Sequence, residues 1–222
     1  MEKKEKNSQK PVEYPEPKNE IQKVNEPVLS YRGKQYSYAD YLKWTEDKMY
    51  EIINGMVYAL SAPVRKHARI VVLLLRRLLP FVGRRKGKCE IYTAPFDVRL
   101  PKNGETADDK IYNVVQPDIC VICDSSKLDE KGCIGAPDLV VEVISPSTGK
   151  KDMNEKFFLY EYSGVREYWV VFPLDSAVTV FLLQANGKYD DGTTYELVKG
   201  QTKVPVNILE GLIIDLNELF EE

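Results

Sequence analysis

The apolar positions fall into short blocks whose spacing changes along the chain. Residues 1–27 contain almost none: after Met1 only Val12, Tyr14, Ile21 and Val24 are apolar, among six lysines, six glutamates and four prolines. Such a segment cannot bury enough surface to offset its ordering entropy, so it reads as a disordered tail ahead of one domain over 28–222. Ser37 reads as the N-cap of a short helix, Tyr38–Thr45. Tyr50-Glu51-Ile52-Ile53 and Met56-Val57-Tyr58 flank Asn54-Gly55, a pair suited to the two positive φ values of a tight hairpin. Pro63 opens a helix running to about Val82, with Gly83 and Gly87 as its stop. Strands follow at Cys89–Tyr92, Pro95–Leu100, Val114–Cys123 and Asp138–Ile144. Asp152 and Glu155 form a capping box for a helix over Met153–Ser163, closed by Gly164. Further strands are expected at Glu167–Phe172, Val178–Leu183, Tyr195–Val198 and Ile213–Leu216, with a short helix near Asn217. This order implies an α/β (α+β) fold in which helices flank a central mixed β-sheet.

Charge and cysteine content narrow the function classes. The net charge of -3 excludes a broadly basic nucleic-acid coat, so any DNA contact must come from a local patch. Residues 64–88 supply one, with nine Lys or Arg and no acid; a solvated helix face is the plain alternative. The greasy stretch Ile70–Val82 is interrupted by Arg76 and Arg77 and is too short to span a bilayer, so no membrane insertion is expected. No apolar leader precedes Cys89, Cys120, Cys123 and Cys133, which implies a cytoplasmic setting with free thiols. Cys120-x-x-Cys123 lacks a second ligand pair, and its side chains would project to opposite strand faces, which argues against zinc. Tyr168 and Trp169 read as core residues.

One acid stands out. Leu139–Ile144 is a continuous apolar run, normal for a strand covered on both faces, except for Glu142. A buried carboxylate needs compensation, either a metal or a structural ion pair, and spacing alone leaves both open. Asp118, at the start of the preceding run, lies beside Glu142 if the two strands are neighbours; hard oxygen ligands without His or Cys suit Mg²⁺ or Mn²⁺. Asp138 shares a strand face with Glu142 but lies four residues away, roughly 13 Å at strand rise, so it reads as a polar strand entry. Lys156 flanks the helical stripe Met153, Phe157, Tyr160 and can lean over the strand end bearing Glu142; an Asp152–Lys156 surface pair is the alternative. Glu51 is a further candidate acid or a solvated strand residue. His67 is the sole histidine, a cap or packing residue or else a base or phosphate contact, and Asp97 is a lesser candidate for a metal oxygen.

Taken in order, these segments resemble the Uma-two-type family of putative restriction endonucleases, within the PD-(D/E)xK superfamily. The resemblance is carried by Tyr50–Gly55, Pro95–Leu100, Gln116–Ile119, Gly135–Ser147, then Asp152, Lys156, Tyr160 and Gly164–Val171. It implies a restriction-endonuclease-like core and Mg²⁺-dependent cutting of DNA. It maps the motif acids, as metal ligands, to Asp118 and Glu142. The superfamily lysine, two residues after the second acid, is replaced here by Ile144; the resemblance moves that role to Lys156 and makes Glu51 the upstream acid. A homodimer suits double-strand cutting, though no residue marks an interface. Two other readings stand beside it: a nuclease fold retained as a nucleic-acid-binding or interaction module, and a small-molecule phosphate-ester hydrolase, which would need a closed pocket.

Overall fold

The computed structural model describes residues 34–44, 49–84, 89–145 and 152–221, without the side chains of Arg84, Asp152 and Met153. The expected tail, the domain start at 28 and the Asp152 side of the capping box lie outside the described residues. Helix α1 (Tyr38–Tyr41) carries a complete capping box between Ser37 and Asp40. Strands β1 (Tyr50–Ile53) and β2 (Met56–Ala59) form the expected hairpin, with φ of 52° at Asn54 and 78° at Gly55. Helix α2 (Arg65–Arg84) starts two residues after Pro63 and continues through Gly83, which therefore does not end it. Its apolar stripe of Ile70, Leu74, Leu78 and Val82 is buried, and packing of that stripe outweighs the weak helix preference of one glycine.

The strand expected over Val114–Cys123 is two strands in two different sheets. Val114–Val115 (β5) pairs with β1 and with β4 (Val98–Arg99), whereas Ile119–Ile122 (β6) pairs with β3 (Glu90–Thr93) and β9 (Leu139–Val143). Pro117 sits at the break; it has no N–H for a ladder, so the chain leaves one sheet there and enters the next. The mixed sheet is thus divided. One sheet has the order β2-β1-β5-β4-β8-β7, completed by β7 (Leu128–Asp129) and β8 (Gly132–Ile134). The other has the order β12-β11-β10-β9-β6-β3, completed by β10 (Glu167–Phe172), β11 (Ala177–Leu182) and β12 (Thr193–Glu196). Each contains one parallel pair, β4–β8 and β9–β10.

The second sheet is covered on both faces, which explains its unbroken apolar runs. Ile119, Val141, Trp169 and Val171 face α2, the small hairpin of β13 (Lys203–Pro205) and β14 (Ile213–Asp215), and helix α4 (Leu216–Phe220). Cys120, Val140, Tyr168 and Val170 face the first sheet and α3 (Phe157–Ser163), the helix that joins β9 to β10 and ends on Gly164 at φ 89°.

The expectation of four free thiols is overturned for two of them. Cys89 and Cys123 are disulfide-bonded, while Cys120 and Cys133 are free and buried. The cause is register: Glu90 lies opposite Ile122 in the antiparallel β3–β6 pair, so the next position sets Cys89 against Cys123. With the cysteines 34 positions apart in sequence, reduction is expected to lower stability by about 3–4 kcal/mol. Thermal melts with and without dithiothreitol check this, and Cys123→Ser should melt like the reduced chain. No described helix is long and apolar enough to cross a membrane.

Candidate active site

The β6–β9 register pairs Ile119 with Val141, so one step further Asp118 lies opposite Glu142 on the same face of the sheet. Asp118 is fixed there by the Val143 N–H, which donates to Oδ2 at 2.7 Å. Glu142 is only 4% exposed, facing the space between the sheets. Opposite it, β1 presents Glu51, fully buried, on the inward face of the other sheet.

Lys156 fills the gap between them. The chain reaches it through one wide π turn, Asp152–Lys156, before α3 begins. The Lys156 ammonium lies 2.8 Å from Glu142 Oε1 and 2.8 Å from Glu51 Oε1, and the side chain is buried with them. One helical turn on, the Tyr160 hydroxyl donates to Glu142 Oε1 at 2.7 Å. Burial, followed by the charge of Glu142, pushes the Tyr160 phenol far up, so it remains a donor. Glu51 Oε1 also accepts the Gln116 N–H at 2.9 Å. The two acids therefore come from two sheets, and their burial is compensated by one shared cation and by neutral donors.

These groups open onto a cavity of about 570 Å³ that includes Glu51, His67, Asp118, Glu142 and Lys156 in its walls. All four residues singled out as site candidates are therefore brought together. Both Lys156 and Glu51 are buried, so neither is the solvated surface residue of its alternative reading, while the Asp152 side chain lies outside the described residues. His67, from the first turns of α2, has Nε2 3.0 Å from Asp118 Oδ2. Its Nδ1 is buried with no hydrogen-bond partner among the described residues.

Other candidates lie apart from this cluster. Asp138 accepts the Cys123 N–H at 2.7 Å and pairs with Arg166 at 2.9 Å, as a polar strand entry should. Asp97 is engaged by Tyr38, Tyr41 and Gln116 outside the cavity wall, so its carboxylate is not part of the Asp118–Glu142 pair. Trp169 is core, its indole N–H donating to Glu167. Within the basic segment, Arg65 and Lys66 are exposed beside the cavity residue Val64, whereas Arg77 pairs with Glu218 and Arg69 donates to the Glu221 carbonyl. Residues 85–88 lie outside the described set.

A family model described as Uma2, putative restriction endonuclease, matches residues 38–217. The chain belongs to the Uma2 family. The match spans every site residue described above. An uncharacterized protein of Synechocystis sp., slr1290, is 28% identical over 155 residues, covering 69% of this chain and 74% of that protein. A crystal structure from Anabaena variabilis, described as a putative nuclease belonging to DUF820, superposes with a TM-score of 0.66 at 20% identity, covering 83% of this chain and 97% of that one. At that identity the likeness establishes the fold, a restriction-endonuclease-like α+β architecture. The sequence of this Uma2 member leaves His67 among open roles, gives Tyr160 as a packing position and as part of the family resemblance without a role, and gives Gln116 only as part of a motif. An aromatic stripe does not show where a hydroxyl points, and a backbone N–H has no sequence signal at all.

Proposed function

We propose that the protein is a metal-dependent endonuclease that hydrolyses phosphodiester bonds of DNA. The observation that supports this most is the buried Lys156 held between Glu51 and Glu142, beside Asp118, in one open cavity. The donor set fits Mg²⁺ or Mn²⁺: Asp118 and Glu142 are opposed hard-oxygen ligands, and both hydrogen bonds to Asp118 fall on Oδ2 alone. Such an ion, when bound, supplies Lewis acidity at the phosphate. The remaining steps belong to the chain. Lys156 keeps a fixed positive charge where negative charge develops on the phosphate oxygens, and it needs no reorganisation because two acids already hold it. Tyr160 and Lys156 both address Glu142 Oε1, which fixes the orientation of that carboxylate. Arg65 and Lys66, exposed at the mouth, suit the phosphate backbone.

A second reading has one observation in its favour. Among the described residues, no three of His, Cys, Asp and Glu converge as a metal cluster. A nuclease fold that binds nucleic acid without cutting it would need no such cluster. Nicking of supercoiled plasmid with Mg²⁺ or Mn²⁺, wild type beside Glu142→Ala, separates the two. His67 offers a finer check, since it orients Asp118. His67→Ala is expected to raise the Mn²⁺ concentration for half-maximal cleavage by roughly tenfold. Isothermal titration of Mn²⁺ into the same variant should show the same shift, and unchanged affinity would remove His67 from that role.

A further inference from the structure

We infer that Asp97 is a positioning residue for the Glu51–Lys156 pair, acting through Gln116. The inference deepens the endonuclease reading and rests on it for its kinetic test. The segment Gln116-Pro117-Asp118 carries the chain from one sheet to the other, and it supplies two parts of the cavity: the Gln116 N–H on Glu51 and the Asp118 carboxylate. How that segment is anchored therefore decides where both parts sit.

The anchor is the Gln116 side chain, only 6% exposed. Its Nε2 donates to Asp97 Oδ1 at 2.9 Å and to the Tyr41 hydroxyl at 3.2 Å. A carboxylate accepts only, so Asp97 dictates which end of the amide faces it. Asp97 is itself held from several directions. The Tyr38 hydroxyl donates to Oδ2 at 3.0 Å, the Tyr41 hydroxyl to Oδ1 at 3.4 Å, and the Asp97 carbonyl accepts the Cys133 N–H at 2.9 Å. Burial first, then the Asp97 charge, keeps both phenols protonated, Tyr41 being pushed up to about 12. Gly132 permits this close approach: a Cβ there would lie 2.3 Å from the Asp97 carbonyl oxygen. Among the described residues Asp97 has neutral side-chain donors and no ion pair. A half-buried carboxylate met only by neutral donors gains direction more than stability. The contacts then run in series: Asp97 to Gln116 at 2.9 Å, Gln116 to Glu51 at 2.9 Å, Glu51 to Lys156 at 2.8 Å.

Reversal of the hydrogen bond tests this. Asp97→Asn leaves a single acceptor oxygen where the Gln116 amide, Tyr38 and Tyr41 now donate to two, Gln116→Glu sets two carboxylates together, and the double variant restores donor to acceptor with opposite polarity. Each single variant is expected to lower kcat for plasmid nicking by on the order of 10- to 100-fold with KM nearly unchanged, as a misplacement near 1 Å does. The double variant should recover most of the loss. The NMR signal of the Lys156 Cε methylene should move in Asp97→Asn and return in the double variant. If Asp97→Asn does not fold, Gln116→Met, which keeps the length and removes the Asp97 contact, takes its place with the same expectation. Wild-type kcat in folded Asp97→Asn overturns the inference, as does a loss that the folded double variant leaves unrepaired. If the wild type itself cuts nothing, the endonuclease reading fails. The Lys156 signal then decides the inference separately: an unmoved signal overturns it.

Discussion

Glu142→Ala is expected to reduce nicking of supercoiled plasmid by at least about 10³-fold, and Lys156→Ala by about 10²–10³-fold. Glu142 is asked to hold the ion and to face Asp118 across the β6–β9 pair, so its loss removes a ligand and one of the two acids on Lys156 together. In the proposed reaction Lys156 supplies charge at the phosphate, a role whose removal usually costs as much as one oxyanion donor. Both variants must be compared at a temperature where each is folded, with Lys199→Ala as a control, because Lys199 only pairs with Glu196 on the surface. Nicking at the wild-type rate by all of them would leave the acids and the lysine without a role in chemistry.

The second large effect concerns stability. Lys156→Met should destabilise the fold by about 3–5 kcal/mol at neutral pH, since it leaves two buried carboxylates with their shared cation removed. Glu51 is fully buried and Glu142 is 4% exposed, so little of either carboxylate meets solvent even though both line the cavity wall. The triple change Glu51→Gln, Lys156→Met, Glu142→Gln removes all three charges at similar volume and is expected to regain most of that loss, because neutral groups carry a much smaller desolvation penalty. Urea unfolding of the two variants beside wild type measures this. A single Met variant within about 1 kcal/mol of wild type would mean that water already reaches the pair and that the site is wetter than its burial implies. A triple variant that folds well and cuts nothing would show a site retained for chemistry at no gain in stability.

Much of the architecture could be read from neighbours in the chain. Asn54-Gly55 specified a hairpin because only a few residue types accept both positive φ values, and Ser37 specified a helix start because its hydroxyl can cap an N–H three residues on. Gly164 specified a helix end in the same way. Glu142 was conspicuous because an acid inside an apolar run contradicts its surroundings, and Glu51, Asp118 and Lys156 were picked out with it by their order in the chain. What lay beyond reach was anything that depends on which strand lies beside which. The break at Pro117, the meeting of Cys89 with Cys123, the approach of His67 to Asp118 and the Tyr160 hydroxyl on Glu142 are all settled by register and by the stacking of two sheets. Propensity and periodicity act over a few residues, so the sequence by itself determined the elements and the candidate acids. Only packing of the whole chain decided that two acids from separate sheets share one lysine, because that contact exists when the layers close and not before.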